Sequence, residues 1–79
     1  MYYVYILENK NKNFHYIGYT KNLNKRIHEH KNGESSVTKG YLPIKLVWHC
    51  VFYNKQTAAK FEKYLKSGSG RAFTKKHLI

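Results

Sequence analysis

Aspartate is absent, and Glu8, Glu29, Glu34 and Glu62 are the only acids among 79 residues. Cysteine occurs once, at Cys50, which excludes a disulfide framework and a thiolate metal site and makes a reducing cytoplasm the expected setting. No apolar run approaches the roughly 20 residues needed to span a bilayer. The apolar start Tyr2–Leu7 is short, with neither a basic lead nor a small-residue cleavage site, so no export signal is expected. Glycine-rich spacing of the phosphate-loop kind is missing, as are internal repeats and any linker that would divide the chain. One α+β domain over residues 1–79 is the expectation.

Base and aromatic ring fill the space left by acid. Fifteen Lys and Arg against four Glu give a formal net charge of +11. Such a surplus repels itself unless a polyanion is near, which favours nucleic acid first and an anionic membrane second. Apolar residues make up 42% of the chain and aromatic residues 16%, enough to fold and too much for a disordered segment. Eight aromatics are tyrosines, whose rings pack while their polar tips stay available at a rim or a site.

Tyr2–Leu7 and Phe14–Tyr19 are β-branched and aromatic runs joined by a polar stretch, which predicts an antiparallel hairpin. Thr20 or Asn22 caps a helix reaching about Lys31, with Leu23, Ile27 and His30 on one stripe and Asn32-Gly33 as its stop. Residues 33–43 read as a polar loop and Ile44–Tyr53 as a third strand. Asn54 or Thr57 then opens a helix with Ala58, Phe61 and Leu65 on its apolar stripe, ending near Gly68. The basic tail Arg71–Ile79 adds a short helix docked by Phe73 and Leu78. The order β-β-α-β-α predicts a small three-stranded antiparallel sheet flanked by helices.

Several residues have the chemistry of a phosphodiester site. Arg26 and His30, four apart, meet on one face of the first helix. Arg26 lies at the edge of the buried stripe, where it either offers its planar fork to phosphate or pairs with Glu29. Glu62 is the only acid in the last 45 residues and flanks its helix's stripe. It either contributes to a magnesium site, where one carboxylate plus phosphate oxygens and water can suffice, or pairs with Lys66. Tyr3 and Tyr5 share one strand face, as do Phe14 and Tyr16, in a pattern that suits a core cluster or a site. Gly18 suits a tight bend or a close backbone approach to a ligand.

The segments Tyr3-Val4-Tyr5 and Tyr16-Ile17-Gly18, followed by Thr20, Leu23, Arg26, His30, Pro43, Leu46-Val47-Trp48, Ala59 and Glu62, resemble the ordered blocks of the GIY-YIG nuclease superfamily. The likeness is to its small single-domain bacterial branch, akin to the nuclease domain of repair excinucleases and of homing endonucleases. The resemblance implies a DNA endonuclease dependent on Mg2+ or Mn2+, with branched, flapped or duplex DNA as substrate, selective for structure rather than sequence, and a role in repair or recombination. It implies that Tyr5 and Tyr16 flank the attacking water, one as general base. It further implies that Arg26 steadies the scissile phosphate, His30 supports base or phosphate, and Glu62 holds the metal, while Lys21, Lys25 and Lys39 hold backbone. A phenol base would then need Arg26 and the metal to lower its pKa.

Three positions depart from the family pattern. Tyr3 replaces the first block's glycine, Tyr19 stands near where relatives place a lysine, and Ser67–Arg71 does not match a late asparagine. The alternative is a non-catalytic basic nucleic-acid-binding module on the same fold, and a protein partner that supplies specificity fits either reading.

Overall fold

The computed structural model describes residues 1–79. Strands β1 (Tyr2–Asn9), β2 (His15–Thr20) and β3 (Ile44–Phe52) form an antiparallel sheet in the order β2-β1-β3. Helices α1 (Leu23–Lys31), α2 (Lys55–Lys66) and α3 (Gly68–His77) surround it, and a short 3-10 turn covers Lys39–Tyr41. The expected α+β class and element order are what the chain adopts. No helix is long and apolar enough to cross a membrane.

Strand alternation sorts the core into two layers. Val4, Ile6 and Ile17 point to one face, where Ala58 and Leu65 of α2 close a buried cluster with Trp48, Phe52, Phe61 and Leu78 packed against it. Tyr5, Leu7 and Ile44 point to the other, with Tyr16, Leu46 and α1's Leu23 and Ile27 against them. The register shifts between Ile6 and Leu7, so that Ile6 pairs with Trp48 and Leu7 with Leu46. Val47 is thus an extra residue in β3, and the bulge lets Leu46 and Trp48, two apart in sequence, serve opposite cores.

β1 runs two residues past the expected end, because Glu8 and Asn9 still pair with Lys45 and Ile44. The Asn9 side chain then closes the connection by accepting from the backbone N–H groups of Asn13 and Phe14. Lys12 in that turn has φ 60°, a left-handed conformation that a residue with a Cβ seldom takes. Each helix starts on a side-chain cap: Asn22 accepts from Lys25 N–H, Asn54 from Thr57 N–H and Ser67 from Gly70 N–H.

The C-terminal helix differs from expectation. It begins at Gly68, not near Arg71, because Ser67 ends α2 and caps α3 in one residue. Gly70 permits that corner: a Cβ there would overlap the Tyr64 carbonyl. Leu78 docks into the core as expected, whereas Phe73 stays 37% exposed and lies against Tyr64 and His77.

Candidate functional site

Gly18 is the floor of the site. It pairs across the ladder with Tyr5, and a Cβ built there would stand 2.6 Å from the Tyr5 hydroxyl and 3.0 Å from the Tyr16 ring. The lack of that one carbon is what lets the Tyr5 phenol fold down over β2. The space at Gly18, expected to admit a ligand, is taken by the Tyr5 side chain.

Above this floor three elements meet. Tyr5 on β1 is 1% exposed, and its Oη lies 3.0 Å from Nε2 of His30 on α1. The Tyr16 ring on β2 has its centroid 6.2 Å from that of Tyr5 and 4.9 Å from that of His30. His30 has no exposed surface, and its Nδ1 lies 2.9 Å from Thr38 Oγ1, itself fully buried. Thr38 thus extends the relay of contacts to Thr38–His30–Tyr5. No spacing rule marks a threonine in the polar loop 33–43, and only the fold brings it beneath α1.

Protonation follows from burial. Burial, reinforced by the charge of Arg26, lowers the His30 pKa, so the ring is neutral and has one donor and one acceptor nitrogen. The Arg26 guanidinium reaches both phenols, and its contacts with Glu29 first and Tyr5 and Tyr16 next favour its charged form. With the Tyr5 proton pointed at Nε2, Nδ1–H is left to donate to Thr38. Every polar group of that relay then has a partner.

The Tyr5 phenol is governed by burial. Burial, and then the nearby Tyr16, push its pKa up to about 12 despite the opposing effect of Arg26. Desolvation outweighs the single cation, so Tyr5 stays protonated at neutral pH. Tyr16, half-buried, is the phenol that still meets solvent.

The acids stand as spacing allows. Arg26 Nη1 donates to Glu29 Oε1 at 2.9 Å, and Lys66 Nζ lies 3.0 Å from Glu62 Oε2. Both intrahelical pairs are therefore formed. Glu62 belongs to α2, which packs on the Val4–Ile6 face, yet its charge is near enough to bear on Tyr5. Its side chain is only 17% exposed. No group of three or more His, Cys, Asp or Glu side chains is placed to hold a metal. A lone hard carboxylate suits Mg2+ or Mn2+, which keep several waters and take substrate phosphate oxygens, and does not suit a closed zinc site.

The three lysines are exposed and spread out. Lys21 Nζ lies 5.6 Å from the Tyr2 ring centre, Lys25 projects from the first turn of α1, and Lys39 follows Thr38 in the 3-10 turn.

A family model described as the GIY-YIG catalytic domain matches residues 1–76. A UPF0213 protein of Clostridium perfringens is 46% identical over 67 residues, covering 84% of this chain and 71% of its own. One from Vibrio campbellii is 36% identical over 77 residues, covering 96% and 70%. Among solved structures, the solution NMR structure of the UPF0213 protein from Bacillus halodurans is 36% identical with a TM-score of 0.57, covering 95% of this chain and 81% of that one.

Proposed function

The chain belongs to the GIY-YIG catalytic-domain family, a nuclease family, and from that footing we propose that it is a divalent-metal-dependent DNA endonuclease. The observation that carries this reading is the meeting of two phenols, a neutral imidazole and a guanidinium over Gly18.

In the proposed reaction Tyr16, the phenol open to solvent, takes the proton of the attacking water. Tyr5 is its fixed neighbour: protonated, wedged on Gly18 and donating its one proton to His30, it orients the water by accepting from it. Arg26 uses one terminal nitrogen for Glu29 and keeps its other donors for a nonbridging phosphate oxygen, where charge develops. Thr38 fixes the His30 tautomer, and so the direction in which Tyr5 donates. Glu62 would hold Mg2+ or Mn2+, which when bound supplies positive charge at the departing oxygen. The Lys66 ammonium must swing off Glu62 to admit it. Exposed Lys21, Lys25 and Lys39 would grip phosphates, and since lysine–phosphate contacts carry no base information, selection would be by DNA structure.

Two formed ion pairs, Arg26–Glu29 and Glu62–Lys66, favour a second reading in which the same basic fold binds nucleic acid without cutting it. One assay separates them. Wild type and Glu62→Gln are incubated with branched, flapped and plain duplex DNA, with Mn2+ or with chelator, and nicking and binding are both scored. We expect nicking by wild type that falls at least about a hundredfold in Glu62→Gln and stops with chelator, with binding kept. Nicking indifferent to both changes would refute the mechanism, and binding with no nicking under any condition would establish the second reading.

A further inference from the structure

A second recess lies between α3 and the β1–β2 end of the sheet, on the Val4–Ile6 face and away from Tyr5, Tyr16 and Arg26. Its volume is about 410 Å³, within the roughly 300–1,000 Å³ of small-ligand sites. The floor is aliphatic, made by Ile6, Ile17 and Ile79, and the rim carries Lys12, Arg71 and Lys75. None of these three cations pairs with a carboxylate. Arg71 is tethered through Nε to the Lys66 carbonyl at 3.2 Å, which leaves its terminal nitrogens free. The one side-chain carboxylate present, Glu8, is already bonded to His15 at 2.9 Å.

A basic rim alone is ordinary on a chain of charge +11. Thr74 sets this recess apart. It lines the cavity, is 6% exposed, and its Oγ1 is buried with no hydrogen-bond partner, the only buried side-chain polar atom so left. Helical threonines usually satisfy themselves on the carbonyl one turn back. A buried hydroxyl without a partner is costly and uncommon, and an arriving acceptor or donor would relieve it. Lys12 lines the recess from the β1–β2 turn, where it holds the left-handed φ of 60°.

We propose that this recess is a nucleotide-binding site separate from the cutting site: phosphate on Lys12, Arg71 and Lys75, the base or sugar over Ile17 and Ile79, and the Thr74 hydroxyl completing a hydrogen bond to it. Cations select the phosphate, while the aliphatic floor and hydroxyl select what is attached to it. The nucleotide is either free or one unit of a bound strand, and its binding does not depend on whether the chain cuts DNA.

The test is an amide NMR titration with adenosine monophosphate, inorganic phosphate and a short DNA strand in parallel. Adenosine monophosphate should shift the amides of Lys12, Thr74 and Lys75 and bind more tightly than phosphate. Arg71→Ala with Lys75→Ala should weaken it by about tenfold or more, since each lost charged contact is worth on the order of tenfold. Thr74→Val, which keeps shape and removes only the hydroxyl, should weaken it roughly threefold to tenfold without loss of stability. The charge-matched pair Lys55→Ala with Lys60→Ala should bind within about twofold of wild type. Displacement of the DNA strand from these amides by adenosine monophosphate identifies the strand as a source, and shifts with the mononucleotide alone identify the free nucleotide. Shifts scattered over the surface, equal loss in the charge-matched pair, or undiminished binding by Thr74→Val with no preference over phosphate would overturn the proposal.

Discussion

At the scale of single residues, the site depends on one missing carbon. Gly18→Ala puts a methyl 2.6 Å from the Tyr5 hydroxyl, and the phenol must leave its bond to His30. The expected result is a stability loss of about 1–3 kcal/mol, as for other overpacked cores, with nicking reduced by more than the stability loss explains. Thermal melts and single-turnover rates measure the two; an alanine variant with wild-type activity would contradict this account of Gly18. Tyr5 itself makes a pH prediction. Its folded pKa of about 12 is above the ordinary phenol value of 10.0, so its contribution to stability is complete below about pH 10 and lost as pH rises toward 12. Spectrophotometric titration of phenolate should lose a component near 12 in Tyr5→Phe, and loss of one near 10 would show that burial does not control this group. Nicking, in contrast, should rise with pH from neutrality, since a phenol base gains its active form as protons leave; a flat profile would count against a tyrosine base.

At the scale of elements, much was legible and the exceptions have physical causes. β-Branched and aromatic runs predict β1, β2 and β3, and the Leu23–Ile27–His30 stripe predicts α1 with His30 turned inward. Three- and four-residue spacing gives Arg26–Glu29 and Glu62–Lys66, and both form. The start of α3 was not legible because Ser67-Gly68-Ser69-Gly70 has a linker's composition, and glycine disfavours helix unless tertiary contact demands it. The bulge at Val47 was hidden because a register shift leaves no mark in a run apolar on both faces. Thr38 was hidden because its role exists only once the loop folds under α1. Two α3 glycines make opposite predictions. A methyl at Gly68 would meet open space, so Gly68→Ala should stabilise by about 0.5–1 kcal/mol. Gly70→Ala meets the Tyr64 backbone and should cost at least about 1–3 kcal/mol. Denaturant midpoints of the two variants should move in opposite directions, and movement in the same direction would contradict the corner described here.

At the scale of the whole molecule, the charge surplus is barely compensated. Only Arg26 and Lys66 of the fifteen Lys and Arg pair with a glutamate, which leaves thirteen cations without one. Binding to DNA should weaken with salt, log affinity falling by roughly 0.9 per phosphate contacted for each unit of log salt. Chelator should leave that slope unchanged while abolishing nicking, because the surface cations act without the metal. Anisotropy titrations across a salt series, with and without chelator, would show this, and salt-independent affinity would rule out a backbone grip. The sheet is only three strands wide, with α1 on one face and α2 and α3 toward the other.

The sealed imidazole of His30 has a spectroscopic consequence. A ring hydrogen bonded to a buried hydroxyl, on a side chain with no exposed surface, reaches bulk water only when residues 33–43 lift away. Such a hydrogen should persist as a slowly exchanging line far downfield in a proton NMR spectrum, and its exchange lifetime would time the breathing of that loop with no label attached.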